Sequence, residues 1–138
     1  MSSTRNYSSE QIGFTCSTFD LLHAGHVLML EEAKQQCDYL ICGLQTHARE
    51  GKDQPIQSLV ERFLQLQACK WVDEIIPYTT EQDLEDIFSC INIDVRIIGS
   101  EYKGKPFTGE YTCKKRGIEI YYNEREHRFS SSYLRDRL

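Results

Sequence analysis

A chain of 138 residues with 40% hydrophobic and 27% charged residues is long enough for one domain with a sizeable core. Its formal charge of −5 speaks against nonspecific nucleic-acid binding, which needs a basic face, although one pocket can still be locally basic. No run approaches the ~20 apolar residues that cross a bilayer, so neither a nucleic-acid nor a membrane partner is expected.

The polar, serine-rich stretch 1–10 lacks an apolar h-region and reads as a flexible tail, not a signal peptide, ahead of a single domain over 11–138. Gln11 to Cys16 then reads as a buried strand, and Val27, Leu28, Leu30 and Ala33 recur at helical spacing over Val27 to Gln36. Between them lies Ser17-Thr18-Phe19-Asp20-Leu21-Leu22-His23-Ala24-Gly25-His26, a polar motif at a strand-to-helix turn. In an open parallel sheet, ligands bind outside the carboxyl ends of the strands. A helix start offers unsatisfied N–H donors and a positive dipole end, which suits phosphate. The two imidazoles would add donors there, and Gly25 lets a backbone approach closely.

Tyr39 to Leu44 is a near-continuous apolar run, as in a strand covered on both faces. Gln45 to Gln57 follows as a long polar loop holding Arg49, Lys52 and Asp53. Ser58 and Glu61 form a capping box for a helix carrying Leu59, Phe63 and Leu66 on one face. Arg62 in its first turn is unfavourable against the dipole, which hints at another use. Trp71 to Pro77 reads as a short strand; Thr80 and Asp83 cap a helix with Leu84, Ile87, Phe88 and Ile91 as its apolar face. Ile93 to Gly99 is a fourth strand, followed by the segment Ser100 to Lys105. Tyr111 to Arg116 forms a short helix stopped by Gly117, Ile118 to Tyr122 a fifth strand, and Ser130 caps a last helix to Arg137. Strands alternating with helices argue for an α/β, doubly wound domain. The six cysteines are scattered singly with no Cys-x-x-Cys pair, and Cys16 and Cys42 fall in apparent core strands, so a reduced, cytoplasmic protein is expected.

His-Ala-Gly-His after Thr-Phe-Asp-Leu-Leu resembles the HxGH signature of the cytidylyltransferase-type nucleotidyltransferases, and within them the glycerol-3-phosphate cytidylyltransferases. The resemblance continues through Val72-Asp73-Glu74-Ile75-Ile76-Pro77 and covers the chain beyond its first ten residues. It implies a Rossmann-like five-stranded parallel sheet of order 3-2-1-4-5 with helices on both faces, and a homodimer. The family's Gly-Asp-Asp-Trp-x-Gly-Lys is matched by Gly99-Ser100-Glu101-Tyr102-Lys103-Gly104-Lys105, which keeps the frame but changes both acids. Ser17 stands where the family usually has Gly. Arg125 with Ser130-Ser131-Ser132 resembles the family's closing Arg-x-x-x-Ile-Ser-Thr-Thr, whereas His127 and Arg128 have no counterpart.

The implied reaction is attack by an acceptor's phosphate oxygen on the α-phosphorus of a nucleoside triphosphate, with pyrophosphate leaving. The resemblance assigns catalysis to His23, His26, Lys52 and Arg125, and nucleotide binding to Ser17, Thr18, Phe19, His26, Ser130, Ser131 and Ser132. Asp20, Lys52, Arg62 and Glu101 would bind the acceptor. Mg2+ would accompany the triphosphate. Lys52 as a solvated loop charge and Arg62 on a solvated helix face remain the competing assignments. CTP with glycerol 3-phosphate is the leading pair of substrates. ATP with another phosphorylated acceptor is the enzymatic rival, and nucleotide binding without turnover the non-enzymatic one. A metal site on His23, His26 and a cysteine lacks a third ligand at sensible spacing.

Overall fold

The computed structural model describes residues 10–124. Arg125, Ser130, Ser131, Ser132, His127, Arg128 and the expected last helix lie outside the described residues.

Five parallel strands form one sheet in the order β3-β2-β1-β4-β5: β1 (Ile12–Ser17), β2 (Tyr39–Gln45), β3 (Glu74–Tyr78), β4 (Val95–Gly99) and β5 (Glu119–Asn123). Each strand-forming segment is an apolar run, and the inner strands are covered on both faces. Helices α1 (Ala24–Lys34) and α2 (Leu59–Gln67) pack on one face, where Leu30, Ala33 and Leu66 meet Leu40, Cys42, Leu44, Val95 and Ile97. Helices α3 (Glu81–Cys90) and α4 (Glu110–Arg116) cover the other, where Leu84, Ile87, Phe88 and Cys113 meet Phe14 and Ile41. This is the expected doubly wound arrangement. Pro77 sits in β3 because β3 is an edge strand, where a missing N–H breaks no ladder.

The caps at Ser58/Glu61 and Thr80/Asp83 form as the sequence predicts, and Gly117 ends α4 in the left-handed conformation at φ 72°. Several expectations change. Helix α1 begins at Ala24, inside the polar motif, and its Val27 and Leu28 are 38% and 42% exposed while Leu30 and Ala33 face the core. Leu59 is likewise at the surface. Strand β3 starts only at Glu74; the chain before it is held by turns, with Asp73 N–H donating to Leu40 O. Among the described residues, no helix is long and apolar enough to cross a membrane.

Candidate active site

The parallel order makes β1 and β4 neighbours, and the carboxyl ends of the strands open onto a cleft of 1210 Å³. Ser17 and Thr18 line it from β1, Gln45 from β2, Gly99 and Glu101 from β4, and Asn123 from β5. Lys52, in the loop after β2, reaches the same cleft.

The polar motif folds into a tight, strained turn leading into α1. Phe19 and Leu21 have φ of 50° and 51°, a region that costs a side chain energy and persists only where the surroundings hold it. Ser17 Oγ accepts from Phe19 N–H at 3.3 Å, a local hydroxyl turn that supports this geometry. The Phe19 ring is fully buried among the α1/α2 core residues. Its side chain is therefore an anchor in the core, and Phe19 is not among the residues that line the cleft.

His23 is the N-cap of α1. Its Nδ1 accepts from Gly25 N–H at 3.0 Å, and His26 Nδ1 accepts from the His23 backbone N–H at 3.2 Å. The motif is thus a reciprocal capping box built from imidazoles, with the three-residue spacing that such a box requires. The two rings lie 4.1 Å apart between centroids, with His26 beside the Phe19 ring at 6.1 Å. A ring that accepts at Nδ1 carries its hydrogen on Nε2. Both rings therefore present Nε2–H as a donor at the start of one helix. The cleft lining reaches Thr18 at the start of the motif and does not include either imidazole.

Arg62 and Asp20 have different partners from those expected of acceptor-binding residues. Arg62 is 2% exposed, and its guanidinium donates to four backbone carbonyls: Gln57 O (3.2 Å), Thr18 O (3.0 Å), Gln45 O (2.7 Å) and Thr46 O (2.8 Å). Burial pulls its pKa down and the Asp20 carboxylate pulls it up. The Asp20 carboxylate accepts from Ile56 N–H (2.8 Å) and Gln57 N–H (3.0 Å), while Gln57 Oε1 accepts from Leu21 N–H (2.8 Å). Together they tie the strained turn to both ends of the 46–58 loop. Their geometry is that of a clasp that holds the strained turn, with four of the five guanidinium N–H groups engaged.

Glu101 follows β4 in a 3₁₀ turn (Ser100–Tyr102), and its carboxylate folds over Gly99, where a Cβ would collide with it. Among the described residues, no group of three or more His, Cys, Asp or Glu is arranged to hold a metal ion. All six cysteines are free thiols; burial pushes Cys42 and Cys16 up, so neither is a reactive thiolate.

Two cleft residues escaped sequence reasoning. Arg96 is 4% exposed on β4, and Asn123 at the end of β5 is buried, donating Nδ2–H to Met29 O at 3.2 Å while its Oδ1 has no partner among the described residues. The signal for Arg96 was visible: it is the one charge inside the apolar run Val95-Arg96-Ile97-Ile98.

Comparison with known proteins agrees with this fold. The family model described as cytidylyltransferase-like matches residues 14–137. The chain is 34% identical over 127 residues to glycerol-3-phosphate cytidylyltransferase of Bacillus subtilis, covering 90% of this chain and 94% of that protein. It is also 34% identical to the bifunctional protein HldE of Hyphomonas neptunium over 80% of this chain, and 37% identical to HldE of Wolinella succinogenes over 76%. In both cases the chain spans 23% of the relative's length. A solved lipopolysaccharide core biosynthesis protein from Thermoplasma volcanium shares the fold at TM-score 0.67, with 23% identity over 85% of this chain and 97% of its own. With a family model spanning most of the chain and a relative matched over nearly its full length, this protein belongs to the cytidylyltransferase-like family.

Proposed function

We propose that the protein is a nucleotidyltransferase that moves CMP from CTP to a phosphorylated small alcohol, glycerol 3-phosphate being the first candidate, and releases pyrophosphate. The observation that carries this reading is the imidazole capping box, which presents two Nε2–H donors at a helix start beside a cleft large enough for two substrates. An ionised acceptor phosphate is already a nucleophile, so the protein's task is to position it and to stabilise charge on the transferring phosphoryl group. His23 and His26 do so through Nε2–H, and Ser17 and Thr18 hold the triphosphate at the carboxyl end of β1. Lys52 brings a cation to the phosphates from the loop. The clasp of Arg62 and Asp20 keeps the turn in its strained conformation.

Mg2+ would arrive on the triphosphate and would supply charge neutralisation there; the Glu101 carboxylate, one of the cleft's carboxylates, would hold it. Arg125 and Ser130, Ser131 and Ser132 are proposed for the departing phosphates. A homodimer is proposed as well, and exposed Val60 and Leu64, one turn apart on α2, are the apolar surface it would cover. Full-length coverage of the glycerol-3-phosphate cytidylyltransferase favours CTP; an adenylyltransferase remains the second reading, favoured by nothing specific in the cleft. Pyrophosphate release is measured with CTP and ATP against a panel of phosphorylated alcohols and sugars. Release with CTP is expected. Release with ATP alone would reverse the base assignment, and triphosphate binding without release from any pair would make the protein a non-catalytic nucleotide binder.

A further inference from the structure

Arg96 is the unusual charge of this fold. It lies inside β4 on the α3/α4 face, and its guanidinium carbon stands 4.6 Å from the Phe88 ring centroid and 4.9 Å from that of Phe107. Nη1 donates to Thr108 O, and the thiols of Cys16 and Cys113 lie within its reach. No carboxylate among the described residues is at ion-pair distance from it; the ion pairs there are Lys34–Asp73 and Arg49–Glu81. A guanidinium removed from water without a counter-charge is costly, and aromatic faces and one carbonyl replace only part of its hydration.

Yet this group lines the cleft. Tyr78 stands in the lining beside it, buried in the hollow that the missing side chain of Gly43 leaves over β2. Two acidic residues of the rim have donors of their own: Glu81 accepts from the Thr108 hydroxyl and faces Arg49, and Glu85 accepts from the Thr112 hydroxyl at 2.8 Å. Gly109, at φ 84°, lets the wall of the cleft close on Phe88 and Arg96, since a Cβ there would meet both.

We propose that Arg96, with the Tyr78 hydroxyl, forms an anion subsite on the cleft floor, and that the acceptor carries a second anionic group, carboxylate or phosphate, besides the phosphate that attacks. The missing counter-charge of Arg96 is then the substrate's own, and a guanidinium fork suits either group. This deepens the acceptor reading above and rests on it, but its test is binding, which does not depend on turnover.

Calorimetry compares glycerol 3-phosphate with 3-phosphoglycerate, which adds a carboxylate, and with glycerol 1,3-bisphosphate, which adds a phosphate. Wild type is expected to bind at least one of the doubly anionic compounds about 10–100-fold tighter than glycerol 3-phosphate, the scale of hydrogen bonds to a buried charge. Which of the two gains identifies the second anion. Arg96→Met keeps the apolar stem between the two rings and is expected to collapse that ratio to within about twofold. If it does not fold by thermal melting, Arg96→Lys, which keeps the charge and loses the fork, is expected to reduce the ratio instead. A wild-type ratio within about twofold for both compounds overturns the subsite. So does a ratio that survives the substitution, or a substitution that weakens CTP binding and leaves the ratio intact. If no triphosphate is turned over but the ratio depends on Arg96, the transferase reading fails and the subsite stands.

Discussion

The backbone N–H of His23 donates to Nδ1 of His26, while His23 Nδ1 accepts from Gly25, so each imidazole is fixed by the backbone that the other helps to cap. One pair of bonds thereby starts the helix and sets the tautomer. Long-range 1H–15N spectra at neutral pH are expected to show the Nε2–H tautomer for both rings, with both Nε2 signals moving when CTP is added. An Nδ1–H tautomer in either ring would mean that the capping box does not exist in solution.

Arg62 holds four carbonyls from three separate segments, which no other side chain could do from one position. Arg62→Ala leaves those acceptors buried and unpaired, and is expected to cost at least about 3 kcal/mol of stability, or on the order of 10 °C in Tm. Arg62→Lys is expected to fall between, because an ammonium lacks the fork. Chemical denaturation of the three proteins checks this. An unchanged stability with lost acceptor binding would return Arg62 to the acceptor.

Asp20 makes its two bonds to amides of the loop, at Ile56 and Gln57. Asp20→Asn replaces one accepting oxygen by a donor that opposes an N–H. Hydrogen exchange at Ile56 and Gln57 is expected to rise about 10–100-fold, with exchange in β1 and β2 unchanged. Equal protection in the variant would show that the clasp closes the loop without Asp20.

The helix caps give the chain an acid-sensitive component. The backbone N–H of Ser58 holds the Glu61 carboxyl below its ordinary 4.5, and those of Thr80 and Thr79 hold Asp83 below its ordinary 3.8. A depressed folded pKa stabilises above the unfolded value, and this stabilisation disappears as pH falls through the lower folded value. The Tm advantage of wild type over Glu61→Gln/Asp83→Asn is therefore expected to shrink between about pH 6 and about pH 3. A gap that stays constant with pH would show that the carboxylates contribute no charge-dependent capping.

The sheet was legible because strands buried on both faces read as apolar runs, and the caps of α2 and α3 because Ser and Thr are ordinary capping residues. The start of α1 was not, since His is no ordinary cap and its apolar pattern begins only at Val27; the spacing His23–His26 carries the cap in side chains that composition does not flag. For Arg62 the unfavourable dipole position correctly signalled a use elsewhere, but a pattern cannot tell a phosphate from four carbonyls. Phe19 shows the same limit, because a residue inside a polar motif can belong to the core that anchors it. Arg96 was passed over because a charge in an apolar run reads as noise until its burial is seen.

The most direct test of the account is steady-state pyrophosphate release with CTP and a phosphorylated acceptor, for wild type, His26→Ala and His23→Ser. Ser is itself a good N-cap, so His23→Ser keeps the helix start and removes only the imidazole. Both variants are expected to fold, with turnover about 10²–10³ lower, the scale of one lost charge-stabilising donor. Turnover within about threefold of wild type in both folded variants would contradict it, and would leave the imidazoles as caps alone.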